Sequence, residues 1–72
     1  MPFAQNLDRI LNERKITAYR ISKDTGLSDR LIGYYRRGER DPSSANLIKL
    51  ADYFDVSVDY LLGRTDNPEV NK

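Results

Sequence analysis

The sequence predicts an all-α fold, a compact bundle of five short helices. Three observations carry that prediction. Apolar residues recur at spacings of three and four, and alternation with period two is never sustained. Hydroxyl residues precede the apolar stretches and glycines follow them, in the order of helix starts and stops. The joins are only a few residues long, as between helices packed as neighbours. With 72 residues, 39% of them hydrophobic and 32% charged, the chain has room for one core and not two.

The first helix is expected over residues 3–14, where Phe3, Leu7, Ile10, Leu11 and Arg14 fall on one stripe. The second starts at Thr17, whose hydroxyl can accept a bond from an orphan amide of the first turn, and ends at Gly26. The third starts at Ser28 for the same reason and ends at Gly38. Pro42 disfavours helix at Asp41, so Glu39–Pro42 is a loop. Ser43 or Ser44 caps the fourth helix, which presents Leu47, Leu50, Ala51 and Phe54 to the core and closes at Asp55. Ser57 caps a short fifth helix ending in Leu61 and Leu62 before Gly63. The expected core is Leu7, Ile10, Leu11, Ile21, Leu27, Ile32, Tyr35, Leu47, Leu50, Ala51, Phe54, Val56, Leu61 and Leu62. The domain is expected to span residues 1–63, with 64–72 as a flexible polar tail containing Pro68.

Composition removes whole classes of chemistry. Without Cys there is no disulfide, thiolate metal site or thiol redox centre. Without His the commonest metal ligand and general base are missing, and no serine–histidine or cysteine–histidine nucleophile can be built. The chain is therefore expected not to be an enzyme and to need no cofactor and no metal. Asp52, Asp55 and Asp59 cross a helix end with no other ligand nearby and read as a solvated face. The apolar runs are two or three residues long, so no membrane span and no signal peptide is expected, and the cytoplasm is the default location.

Net charge is +1, but it is unevenly placed. Residues 1–40 carry nine Lys/Arg and five Asp/Glu, a net +4, whereas residues 41–72 carry three and six, a net −3. The basic part is a candidate polyanion-binding face, and a lopsided solvated surface is the plainer alternative. The stretch Thr17–Gly38 sharpens the choice. Two short capped helices joined by a turn holding Gly26 form a helix-turn-helix layout. In the second of them only Ile32 and Tyr35 have core spacing, which turns Asp29, Arg30, Gly33 and Tyr34 outward. A glycine inside a helix costs about 1 kcal/mol relative to Ala, so an outward Gly33 suits a site that another molecule approaches closely. Arg30 can fork onto guanine, Asp29 can accept from the cytosine amino group, and Tyr34 can reach a phosphate or a base edge. The cluster Arg36-Arg37-Gly38-Glu39-Arg40 follows directly.

Over residues 3–63 the chain resembles the lambda-repressor-like, Cro/C1-type (XRE) helix-turn-helix family. The matching elements are Ile16-Thr17, the turn Gly26-Leu27-Ser28, Ile32 with Tyr35, Arg37-Gly38-Glu39-Arg40, Pro42-Ser43 and Leu47-x-x-Leu50-Ala51. The closing segment Val56-Ser57-Val58-Asp59-Tyr60-Leu61-Leu62-Gly63 looks most like bacterial and prophage members. The resemblance implies a sequence-specific transcription regulator, a repressor above all, that lays its third helix (residues 28–37) in the major groove of double-stranded DNA. By position it implies base contacts from Ser28, Asp29, Arg30, Gly33 and Tyr34. It implies phosphate contacts from Thr17, Ala18 and Tyr19, from Arg36, Arg37 and Arg40, and from Ser43 and Asn46. It also implies a homodimer on a palindromic operator, with Tyr53, Val58 and Tyr60 as interface candidates or simply core-edge residues.

Three departures from the family pattern, at four positions, bear on function. Ala18 replaces a frequent Gln, which leaves Thr17 or Tyr19 to compensate. Leu11 and Arg36 replace a frequent Arg and Glu, so that internal ion pair is absent and Arg36 is open to phosphate, Glu13 or Asp8. Leu31 can touch a thymine methyl or serve in packing. The five tyrosines sit on different helices and read as core-edge residues rather than a stacking platform. The alternative function on the same fold is a protein-interaction module, an antitoxin or co-regulator, for which an apolar patch around Tyr53 and Val58 would speak.

Overall fold

The structure is a computed structural model, and it describes residues 2–69. It contains α1 (Pro2–Arg14), α2 (Ala18–Thr25), α3 (Asp29–Arg36), α4 (Ser44–Phe54) and α5 (Val58–Leu61), with no strand among the described residues. The helices pack into a body of 29 × 24 × 22 Å. α1 lies against α3 and α5, α2 against α3 and α4, and α4 against α5.

Every helix after α1 begins on a hydroxyl. Thr17, Ser28, Ser43 and Ser57 adopt extended backbone and accept from the amides of Arg20, Leu31, Asn46 and Tyr60 at 3.0–3.2 Å. Of the two serines open to α4, Ser43 is the cap. Gly26 closes α2 at φ +81°, and Gly38 follows α3 at φ +73°, both in the left-handed region that suits glycine. Asp55 takes the same conformation at the end of α4, at φ 58°.

The core is apolar throughout, with no buried polar or charged side chain among the described residues. It differs from the expected set at its edges. Phe3 is buried and meets Tyr35 edge-on, with centroids 5.9 Å apart. Leu47 and Leu62 are only partly buried. Leu47 sits in the first turn of α4 and Leu62 at the C-cap of α5, where the helix face leaves the core.

Long polar side chains tie the helices together. Arg36 of α3 donates to Asp8 of α1 through Nε at 2.9 Å and Nη2 at 2.6 Å. Of the three partners open to Arg36, the fold selects Asp8, across the place where Leu11 is buried in the core. Arg14 donates to the Phe54 carbonyl at 2.7 Å, satisfying an orphan carbonyl at the end of α4. The Asn6 amide donates to the Tyr60 and Leu61 carbonyls of α5, both at 3.2 Å. Past α5, the Ser57 amide donates to the Pro68 carbonyl at 2.9 Å, so this part of the segment after Gly63 lies at the start of α5.

Tyr53 of α4 donates to Asp24 of α2 at 2.6 Å. That bond lowers the Asp24 carboxyl and raises the Tyr53 phenol relative to their ordinary values. A depressed acid stabilises the fold above its unfolded pKa and loses that contribution as pH falls through the folded one. A raised phenol stabilises below its unfolded pKa and loses it as pH rises through the folded one. The pair should therefore contribute fully between about pH 4 and pH 10. The Tm difference between wild type and Tyr53→Phe should be flat across that range and shrink on both sides. Phe3→Ala should cost about 3–5 kcal/mol, read as a lower urea midpoint at unchanged slope.

Candidate nucleic-acid interface

α2 and α3, joined by Gly26–Ser28, form a helix-turn-helix whose second helix buries only Ile32 and Tyr35. Of the rest of α3, Leu31 packs against the edge of the core. Asp29 and Arg30 are exposed, and Leu31, Gly33 and Tyr34 are half-buried. An open cleft of about 410 Å³ runs along this surface, lined by Ser28, Arg30, Leu31, Tyr34 and Arg40.

Arginines converge there. The guanidinium carbons of Arg30, Arg37 and Arg40 lie 5.7, 5.4 and 4.8 Å from the centroid of the Tyr34 ring. Arg30 Nε also donates to the Tyr34 hydroxyl at 3.0 Å. Arg37 pairs with Glu39 in a forked contact, Nε to Oε1 at 3.0 Å and Nη2 to Oε2 at 3.3 Å, which raises its pKa. Glu39 thus occupies the guanidinium fork that a phosphate would use.

The other candidates divide into free and engaged groups. Thr17, Ser28 and Ser43 are exposed. Each hydroxyl oxygen accepts from its own helix, which leaves the proton available outward. Tyr19 is 70% exposed, while Ala18 is packed against the core. Arg36 is held by Asp8, so a phosphate contact from it has to share or break that pair. The Asn46 amide donates to the Tyr35 hydroxyl at 3.0 Å. Tyr53, Val58 and Tyr60 are half-buried against the core, with Arg9 lying 5.5 Å over the Tyr60 ring. The surface also holds an apolar residue that helical spacing did not single out, Ile48 of α4, which is 53% exposed.

Gly33 has a neighbour within its own chain. A Cβ at this position would lie 3.0 Å from the Arg37 Nη1. The space a side chain at position 33 would enter is therefore bordered by the guanidinium of Arg37.

Comparison with known proteins agrees with this layout. A family model described as helix-turn-helix matches residues 7–61. An uncharacterized HTH-type transcriptional regulator of Bacillus subtilis, YobD, is 33% identical over 93% of this chain and 60% of its own length. The cryptic phage CTXphi transcriptional repressor RstR of Vibrio cholerae is 35% identical over 79% of this chain and 54% of its own. The HTH-type transcriptional regulator ImmR of Bacillus subtilis is 26% identical over 100% of this chain and 57% of its own. The chain thus spans little more than half the length of these relatives. No solved structure matches it.

Gly33→Ala should separate stability from geometry. The substitution should stabilise α3 by about 1 kcal/mol through helix propensity, raising Tm by about 4–8 °C. It should also displace the Arg37 guanidinium, seen as a shift of the Arg37 Nε–H resonance in a ¹⁵N spectrum.

Proposed function

The chain belongs to the helix-turn-helix family, and on that premise we propose that it is a sequence-specific double-stranded DNA-binding transcription regulator that acts as a repressor. The observation that carries the reading is the outward face of α3, where Arg30, Arg37 and Arg40 gather beside an open cleft. A helix with a two-residue footprint in the core can enter a major groove without loss of packing.

α3 reads base edges with Asp29 and Arg30, and Ser28, Gly33 and Tyr34 lie along the same face. Arg37 and Arg40 bind phosphates on one side. Thr17, Ala18 and Tyr19 at the start of α2 bind them on the other, with Ser43 and Asn46 at the start of α4. These contacts fix register and supply affinity, and the base contacts supply discrimination. A second copy, docked through the surface bearing Tyr53, Val58 and Tyr60, sets two recognition helices about 34 Å apart on a palindrome. A body of 29 × 24 × 22 Å is of the right size for that spacing. The protein acts in the cytoplasm, without catalysis, metal or cofactor. No helix among the described residues is long and apolar enough to cross a membrane.

Selection of sites from random duplex DNA at two salt concentrations tests the reading. A palindrome should be enriched, with affinity falling steeply as salt rises. Enrichment of nothing, with weak binding at both salts, would overturn it in favour of a protein-interaction module. Arg30→Ala should relax one base pair of the selected site at a cost of about 1–3 kcal/mol. Arg37→Ala should weaken all sequences alike and reduce the salt slope by about 1.

A further inference from the structure

We propose that Tyr34 is a positioning residue that gathers three arginines and aims two of them, Arg30 and Arg40, at DNA with their charge unpaired, rather than a DNA contact in its own right. The proposal rests on the DNA-binding reading above and deepens it. Among the described residues five arginines stand in ion pairs with carboxylates: Arg9, Arg20, Arg36, Arg37 and Arg64. Arg30 and Arg40 stand in none among the described residues, and both lie against the Tyr34 ring.

The difference matters for an anion-binding surface. A carboxylate orders a guanidinium by neutralising it, and it must be displaced before a phosphate can bind. An aromatic face orders the same group through its quadrupole and leaves the net charge whole. Tyr34 is placed for this role by its register. Arg30 precedes it by four residues and Arg37 follows it by three, both on the same side of the helix. Arg40 returns to the ring from the loop after α3 and comes nearest, at 4.8 Å. The hydroxyl adds a directional hold on Arg30 alone, at Nε. That leaves the two terminal nitrogens of Arg30 to fork onto a base edge. Gly33 completes the device, because a side chain there would crowd the Arg37 guanidinium at 3.0 Å.

Ring and hydroxyl therefore have separable effects. Tyr34→Phe removes the hold on Arg30 and keeps the ring. Its preference for the selected site over random duplex should fall about fivefold, a larger loss than it shows in random-duplex affinity. Tyr34→Leu removes the ring as well, and its random-duplex affinity should fall about tenfold with a shallower salt slope. Because the hydroxyl acts through Arg30, Tyr34→Phe combined with Arg30→Ala should bind like Arg30→Ala alone.

Additive losses in that double variant would make Tyr34 a direct contact and overturn the proposal. Wild-type binding by both single variants would overturn it too. Thermal unfolding of each variant separates these effects from loss of the fold. A readout without DNA keeps the two readings apart. In the free protein the side-chain protons of Arg30, Arg37 and Arg40 should be shifted upfield by the Tyr34 ring and should lose that shift in Tyr34→Leu. If wild type selects no site yet shows these shifts, the seat stands and the DNA reading fails. If the shifts are missing, the seat itself is refuted.

Discussion

Helices of eight residues do not persist alone in water, because nucleation costs more than so few hydrogen bonds return. α2 and α3 have eight residues each and α5 has four. Nothing covalent holds them, since the chain has no cysteine. They exist because each begins on a hydroxyl that satisfies an orphan amide and each buries an apolar residue in a common core. The same requirement shapes the candidate interface. Thr17, Ser28 and Ser43 stand at helix starts on the exposed surface, with their oxygens accepting from their own helix and their protons not used by those bonds. What starts the helices also supplies donors to whatever lies against them.

The arginines show how one side-chain type is given different tasks by its partner. Arg14 meets a carbonyl at the end of α4 and serves the fold. Arg36 meets Asp8 with two nitrogens and ties the C-terminal end of α3 to α1, against which α3 is already packed. Its exposure is 29%, less than that of any other ion-paired arginine here. α3 is thus anchored at one end by an ion pair and along one side by Ile32 and Tyr35, while its outward face keeps its charge.

Much of this was legible in the sequence because it is local and periodic. Serine or threonine before an apolar stripe, with glycine after it, located α2 and α3 to within a residue or two. The outward placement of Asp29 and Arg30 followed from the spacing of Ile32 and Tyr35. What could not be read is what side chains do at long range. Asn6 reaches carbonyls 54 and 55 positions away, and Arg14 reaches one 40 positions away. Neither leaves a periodic mark. The partner of Arg36 was open among three groups because the angle between α1 and α3 decides it. The sequence suggested at Gly33 a site that another molecule approaches; it could not show that the Arg37 guanidinium of the same chain also lies over this position. Phe3 lay on the expected stripe but outside the expected core, since its place near the chain start does not show that Tyr35 of another helix packs against it.

The small share of α3 that enters the core has an evolutionary consequence. Ile32 and Tyr35 are buried there and Leu31 packs at the edge, so the other positions on the helix can vary without opening a cavity. On the proposed DNA-binding reading, preference can drift by single substitutions while the fold keeps its stability, and paralogues with different targets can diverge from one scaffold. Position 34 is the exception. A change there alters the setting of Arg30, Arg37 and Arg40 together. Drift at the neighbouring positions is gradual, whereas at Tyr34 it comes as a jump.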